Sequence, residues 1–274
     1  MSTIASPSPR PGAVQTLLRG SGVAWFSVAA VGQAAFIVFI VAFYGWRTVT
    51  GNFAGWNDKP LITGHVEGDD VGNLVFAAHV LLAAVVTLGG LMQLFPWLRR
   101  RFPALHRWTG QAFLSIAIVL ALSGVWMSLV RGTYLSVVSA VAILINGLLI
   151  LVFATLAWRY ARKRAFETHR RWAMRTFMVV SGVWFLRVGL MGWVVLNHGP
   201  VGMNKTMSGP ADIALTFGSY LIPLAVLELY FAAGRSPNPA LKLLASSVVL
   251  FATAYTAVGI FGAVMLMWGP YIVG

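Results

Sequence analysis

Two kinds of residue are scarce in this sequence, and their scarcity excludes several classes of protein. Cysteine is absent, which excludes disulfides, thiolate metal sites, iron–sulfur clusters and covalent haem attachment through a C-x-x-C-H motif. Charged residues make up only 10% of the 274 residues, against roughly 25% in ordinary globular domains. Because 58% of the residues are hydrophobic, the composition excludes a soluble enzyme, a disordered regulator and a secreted disulfide scaffold. It indicates a chain that lies mostly in lipid.

Seven apolar runs of about 20 residues are each long enough to cross the hydrocarbon core of a bilayer as a helix. The predicted spans are Val23–Tyr44, Asn73–Trp97, Trp108–Val130, Tyr134–Trp158, Trp172–Asn197, Ile213–Ala233 and Leu243–Trp268. We therefore predict an all-α integral membrane protein, with one seven-helix membrane domain over residues 23–274. Residues 1–22 are expected to form a polar cytoplasmic tail, too proline-rich for a signal peptide.

Acidic residues are also few, 7 against 20 Lys and Arg, and the positive charges are distributed unevenly between the two ends of the predicted spans. One side carries only Arg47, Lys59, Arg131 and Lys205. The other carries fourteen: Arg10, Arg19, Arg99, Arg100, Arg101, Arg107, Arg159, Arg162, Lys163, Arg164, Arg170, Arg171, Arg235 and Lys242. The positive-inside rule therefore predicts a cytoplasmic N-terminus and an external C-terminus, in a bacterial inner membrane. The basic rim is expected to attract anionic lipids, and no soluble module is present to offer it to nucleic acid.

The two large cytoplasmic turns share a pattern. Residues 99–108 and residues 162–172 each carry three basic residues, four other residues, a His-Arg pair and then a Trp that begins the next span, with one insertion in the second turn. Spans two to five are therefore predicted to form two parallel hairpin repeats, residues 73–131 and 134–197, that pack as a four-helix core. The first, sixth and seventh spans would flank that core.

The middle of the chain resembles a known family. From His79 to Arg187 it is similar to the bacterial membrane proteins of domain of unknown function 2306, on the residues His79, Leu105-His106-Arg107, Gly110, His169-Arg170, Trp172 and Arg187. That resemblance implies a multi-span membrane fold and no established activity. The four-helix layout is more distantly similar to the diheme transmembrane cytochromes b that carry electrons from ascorbate.

Two histidines occupy equivalent positions of the predicted repeat. His106 and His169 lie in the first turns of spans three and five, at the same depth, where helix N-termini favour the neutral imidazole. One hypothesis is that they ligate the iron of a single b-type haem. The neighbouring arginines would then hold its propionates: Arg107, Arg170, Arg171 and Arg175. The alternative is that both histidines are interfacial anchors that contact lipid phosphates beside aromatic residues.

Three further ionisable residues fall within predicted spans: His79, Arg187 and Glu228. Ionisable groups are costly to place in lipid, so these residues mark candidate functional sites. His79 is either a hydrogen-bonded packing histidine or a ligand. Arg187 is expected to be paired inside the bundle, with His79, Asn146, Glu228 or a cofactor carboxylate as its candidate partners.

Three functions remain open from the sequence. The first is transmembrane electron transfer with a b-type haem or a quinone. The second is a non-catalytic accessory or assembly subunit that docks a membrane complex or anionic lipids. The third is a small transporter that uses Arg187, Glu228 and His79, which a parallel repeat with a single helix breaker, Pro223, favours least. No nucleotide-binding loop, G-x-S-x-G or H-E-x-x-H motif is present, so the sequence names no enzymatic activity.

Overall fold

The computed structural model describes residues 12–59 and 63–273, and within these segments all regular structure is helical. The helices are α1 (Ala13–Val49), α2 (Asp70–Leu94), α3 (Pro96–Arg101), α4 (Pro103–Leu129), α5 (Val137–Arg162), α6 (Phe166–Val180), α7 (Gly182–Leu196), α8 (Pro210–Arg235) and α9 (Pro239–Ile272). Helices α1, α2, α4, α5, α8 and α9 are each long and apolar enough to cross a membrane. Counting α6 and α7 together as one bent span gives seven, which confirms the predicted all-helical membrane fold.

Several helix ends differ from the predicted spans. Helix α1 begins at Ala13, inside the expected tail, and residues 1–11 of that tail lie outside the described residues. Helix α2 ends at Leu94 rather than Trp97, because Pro96 starts a separate short helix that carries three arginines of the first basic turn. The second basic turn, at residues 163–165, has no such helix, and the parallel repeat stays a prediction.

We name the two ends of the molecule by the predicted orientation. The cytoplasmic end holds the starts of α1, α4, α6 and α9, and the outer end holds the starts of α2, α5 and α8. Side chains fix some of these starts: Asp69 accepts a hydrogen bond from the Gly72 amide at the start of α2 (2.9 Å), and Ser136 and Ser139 form a capping box at the start of α5.

Two groups of helices bury separate hydrophobic cores. The first core lies among α2, α4, α5 and α6, with α8 at its edge, and it is centred on residues such as Phe113, Ala154 and Phe177. The second joins α1, α2, α7 and α9 and is rich in aromatic residues, among them Phe39 and Trp268. Helix α1 packs mainly on α9, and α9 packs on α7.

The fifth predicted span is not one straight helix, and it does not belong wholly to the predicted four-helix core. It breaks at Ser181, and α7 turns by 51° from α6 to leave the first group and join the second. Polar side chains stabilise the break: the Asn146 amide donates to the Val179 carbonyl (3.2 Å), and the Gln33 amide donates to the Ser181 hydroxyl (3.1 Å). Side chains from neighbouring helices thus satisfy polar groups around the interruption, as a break inside a membrane requires.

Candidate functional site

A large cavity lies between α1, α6, α7, α8 and α9, with Leu94 of α2 and Pro96 of α3 also in its wall. Its volume is about 720 Å³, and its wall is predominantly apolar. Along α8 it extends from Leu215 near the outer end to Tyr230 near the cytoplasmic end. At 1.5 Å per residue this corresponds to about 22 Å, most of the roughly 30 Å hydrocarbon core of a bilayer. The cavity is therefore long and oriented along the helices.

Glycines and a proline line part of this cavity. Gly22, Gly189 and Gly218, on three different helices, line the cavity without side chains to fill it. Pro223 also lines it and has no amide hydrogen to donate to the Ser219 carbonyl, one helical turn earlier.

The polar side chains in the wall are mostly satisfied within the protein. The Tyr255 hydroxyl donates to the Gly189 carbonyl (2.8 Å), and the Trp193 indole donates to the Val201 carbonyl (2.8 Å). Ser219 and Thr256 likewise donate to carbonyls of their own helices (2.8 and 2.7 Å). Because these donors already have partners, a ligand in the cavity would make mainly apolar contacts with the wall.

A second, basic pocket of about 380 Å³ adjoins the cavity at the cytoplasmic end. The two share three wall residues, Arg19 of α1, Arg170 of α6 and Tyr230 of α8, so the basic pocket lies directly beside the cavity. Arg171 and Arg235 complete the basic side of this pocket.

The basic pocket has an excess of positive charge. Its one acidic residue, Glu167, lies 3.5 Å from Arg171. Within residues 12–59 and 63–273, the other three arginines, Arg19, Arg170 and Arg235, have no carboxylate within 4.0 Å. The Tyr230 phenol lies near the first two of these, and its hydroxyl makes no hydrogen bond to a described residue. The mouth of the cavity therefore presents unused hydrogen-bond donors and net positive charge.

His106 and His169 both lie at the cytoplasmic end of the four-helix group. They lie close enough for a charge on one imidazole to act on the other. His169 Nδ1 lies 2.8 Å from the Ala157 carbonyl, to which it must donate, so Nε2 of the neutral ring keeps its lone pair. His106 differs: with the Gln93 amide oriented to satisfy both of its atoms, the amide nitrogen lies 3.1 Å from His106 Nδ1 and donates to it. Neutral His106 then carries its proton on Nε2.

His79 and Arg187 lie together near the outer end, away from the other two histidines. His79 Nδ1 is 2.8 Å from the Ser123 hydroxyl, which itself donates to the Leu120 carbonyl (3.1 Å). The Arg187 guanidinium donates to the Val183 carbonyl (3.0 Å) and lies 5.4 Å from the centre of a phenyl ring of α1. Among the described residues no carboxylate is within 4.0 Å of it.

The remaining arginines of the predicted site have separate surroundings. Arg175 forms a bidentate ion pair with Glu228 (2.7 and 2.9 Å), so Glu228, one of the candidate partners of Arg187, pairs with Arg175 instead. Arg107 is exposed at the start of α4. The structure therefore distributes the predicted site residues among the cytoplasmic histidine pair, the cavity mouth and the outer end.

Sequence reasoning did not identify the cavity. Its wall combines residues of seven helices, from Arg19 to Thr256 along the chain, and single apolar residues such as Val226 or Ala252 carry no local sign of a site. Arg19 and Arg170 were assigned to the basic rim, and only the fold shows that they share one opening.

The fold and the cavity together define a multi-pass helical membrane protein with an apolar site between its helices, open on the side where Val23 and Ile222 are exposed. A family model described as "Predicted membrane protein (DUF2306)" matches residues 76–231, more than half of the chain, and the protein belongs to that family. No curated protein and no solved structure matches it significantly.

Proposed function

We propose that this protein binds a long-chain amphiphile within the membrane, in the cavity between α1 and α6–α9. The carrying observation is the 720 Å³ apolar cavity whose cytoplasmic mouth is lined by arginines. Small-molecule sites in proteins measure about 300–1,000 Å³ and combine an apolar wall with a few polar groups, as this cavity does.

The shape and the polarity of the cavity favour one kind of ligand. A compact polar substrate would leave most of the apolar wall unmatched and would lose hydrogen bonds to water, because the polar side chains of the wall are already paired. A molecule with one polar end and a long chain matches the mouth and the wall together. An isoprenoid quinone or a lipid has this form, and a lipid agrees with the partner expected at the cytoplasmic rim of a bacterial inner membrane.

The test is whether such a molecule accompanies the protein and depends on the cavity. Protein purified in a mild detergent is analysed by native mass spectrometry, and extracted amphiphiles are identified. Ala252→Phe adds a ring at the cavity wall, while Ala225→Phe adds the same ring at an exposed position of α8 outside the cavity. We expect the first variant to lose the bound amphiphile and the second to retain it. Wild-type protein without any amphiphile, or equal amounts in both variants, would refute the proposal.

A second candidate function is electron transfer through a b-type haem, which the orientation of His169 favours. A ligating histidine characteristically donates its other ring N–H to a carbonyl, as His169 does to Ala157, which leaves Nε2 for iron. Bound haem would supply a one-electron couple between its ferric and ferrous states. His106 fits less well, because ligation through its Nε2 requires the other tautomer and the loss of the hydrogen bond from Gln93.

Space near the two histidines is also restricted. Two turns deeper, Phe113 and Phe177 are 5% and 4% exposed and fill the gap against Gly90 of α2. A macrocycle held by His106 and His169 would therefore lie on the cytoplasmic side of these rings, and the exposed Arg107 would be a candidate propionate partner.

A reduced-minus-oxidised spectrum tests the haem hypothesis directly. Six-coordinate haem gives split bands on reduction, and His169→Ala would abolish them, while His198→Ala, in an exposed loop, would not. Protein expressed with ample haem that stays colourless would exclude this function. If haem and amphiphile occupy separate sites, the Ala252→Phe variant should keep the split haem bands.

The transport hypothesis has less support. Its three residues do not converge, since Glu228 pairs with Arg175 while His79 and Arg187 lie near the outer end. No contact favours docking to a larger complex over binding of a lipid.

A further inference from the structure

We infer that the cavity takes an amphiphile with an anionic, phosphate- or carboxylate-bearing headgroup, which Arg19, Arg170 and Arg235 hold in the basic pocket. This inference rests on the proposed function and deepens it by naming the chemical class of the guest.

The headgroup and chain compartments are adjacent. Arg19, Arg170 and Tyr230 line both the basic pocket and the apolar cavity, so a molecule that lies in the cavity with its polar end toward the cytoplasmic end places that end among them. A chain lying along α8 would have its far end near Leu215. The headgroup would then lie at the cytoplasmic end, where the first turns of α6 and the last turn of α8 meet.

Charge selects an anion at this mouth. The pocket contains four arginines and one glutamate, and Glu167 is already associated with Arg171 at 3.5 Å. Guanidinium groups present donors in a fixed fork that matches phosphate and carboxylate oxygens. A headgroup that also carries an ammonium group would bring a like charge against the arginines, so zwitterionic lipids are disfavoured.

Tyr230 marks the boundary between the two compartments. Its hydroxyl has no hydrogen-bond partner among the described residues and lies near the side chains of Arg19 and Arg170. Gly22 faces it, and a side chain there would begin 2.8 Å from the Tyr230 oxygen. Glycine at this position keeps the phenol accessible, so that it adds a neutral donor beside the two guanidinium groups.

The experiment compares lipids that share their chains and differ in headgroup. The protein in nanodiscs or mild detergent is titrated with dioleoyl phosphatidic acid, with dioleoyl phosphatidylcholine and with inorganic phosphate, and binding is measured by native mass spectrometry. We expect phosphatidic acid to bind at least about tenfold more tightly than phosphatidylcholine, because charge-assisted hydrogen bonds are the strongest available here. The Arg19→Gln, Arg170→Gln double variant should reduce that preference to about twofold or less.

Matched controls separate this site from general attraction of anionic lipid to the basic rim. Arg100→Gln with Arg101→Gln removes the same charge from α3, outside both compartments, and should leave the preference unchanged. If the double variant at the mouth does not fold, the single change Arg235→Gln removes a headgroup arginine outside the shared mouth and should still weaken phosphatidic acid binding.

Each outcome has a distinct meaning. Equal binding of the two lipids, or an unchanged preference in the mouth variants, overturns the anionic headgroup while the cavity function stands. Binding of neither lipid overturns the anionic headgroup, and it overturns the proposed function as well when the purified protein also carries no amphiphile. Binding of inorganic phosphate with the affinity of phosphatidic acid shows a phosphate site that does not use the cavity, and also contradicts the inference. If the control variant with Arg100→Gln and Arg101→Gln loses the preference for phosphatidic acid to the same extent, the preference arises from the basic rim, which also contradicts the inference.

Discussion

Lys59 provides a quantitative test of the outer end of the fold. It lies in the loop between α1 and α2, is only 7% exposed, and donates to the Met267 carbonyl of α9 (3.0 Å). Its ammonium group also lies 5.1 and 5.0 Å from the centres of the Phe39 and Tyr271 rings. Burial, with a smaller contribution from the positive charge of Arg187, lowers the pKa of Lys59 from 10.5 to about 8.

The sign of the pH dependence follows from that shift. Because the folded pKa is the lower one, the unfolded chain binds more protons between about pH 8 and 10.5, so stability rises with pH across that window. Below the folded pKa the full cost of the buried charge is present. From about pH 7 to about pH 9.5, linkage gives a gain of about 2 kcal/mol in the free energy of unfolding.

The assay is denaturant unfolding in detergent, followed by tryptophan fluorescence at both pH values. We expect wild-type protein to gain about 2 kcal/mol at the higher pH and Lys59→Met to lose that gain. Lys205→Met, which removes an exposed lysine, should behave as wild type. The reasoning fails if Lys59→Met keeps the full pH dependence, or if wild-type stability is flat or falls over this range.

Three other predictions concern packing, an ion pair and topology. Gly259→Ala would place a methyl group against the Val188 carbonyl between α9 and α7, and it should lower the free energy of unfolding by about 1–3 kcal/mol. In the control Gly234→Ala, the new methyl group meets no other atom, and stability should not fall. Equal melting temperatures of the two variants would contradict this prediction. Arg131→Gln should lower the melting temperature, because it breaks a 2.7 Å ion pair with Asp69 at a 5% exposed guanidinium. The backbone amide of Gly72 and the side chain of Arg131 both hold the pKa of Asp69 below its ordinary 3.8. The ionised Asp69 therefore stabilises the protein above pH 3.8, and this stabilisation is lost when acidification protonates Asp69 in the folded state. An Arg131→Gln variant with the acid stability of the wild type would contradict the prediction. A reporter fused to the C-terminus should be active only if it functions outside the cytoplasm, and cytoplasmic activity would reverse the predicted orientation.

Hydropathy alone was sufficient to predict the helices that are long and apolar enough to cross a membrane, but not the short helix α3 or the division of the fifth span into α6 and α7. Twenty-residue apolar runs have few structural options in lipid, so the seven predicted spans correspond to the observed helices. The ends moved by several residues where proline or a cap decides the boundary, as at Pro96 and Asp69. Orientation and the internal repeat remain predictions from charge and pattern.

The break in the fifth span could not be predicted from its own residues. Ser181 and Gly182 are ordinary in a membrane helix, and the interruption depends on Asn146 and Gln33, which lie 33 or more residues away in the chain. The same long-range arrangement decides the site. The equivalence of His106 and His169 in the two turns could be read from the sequence, but the pairing of Arg175 with Glu228 depends on where α8 packs.

The position of the chain inside the protein tests the central claim most directly. A phosphatidic acid probe with a photoactivatable diazirine at the end of its acyl chain is added to the purified protein, and crosslinked peptides are mapped after illumination. The account predicts crosslinks within residues 185–193 and 215–227, which line the cavity on α7 and α8. Crosslinks confined to outward surfaces, such as the exposed Leu122 and Leu148 of α4 and α5, would show that the lipid only surrounds the protein and would contradict the account.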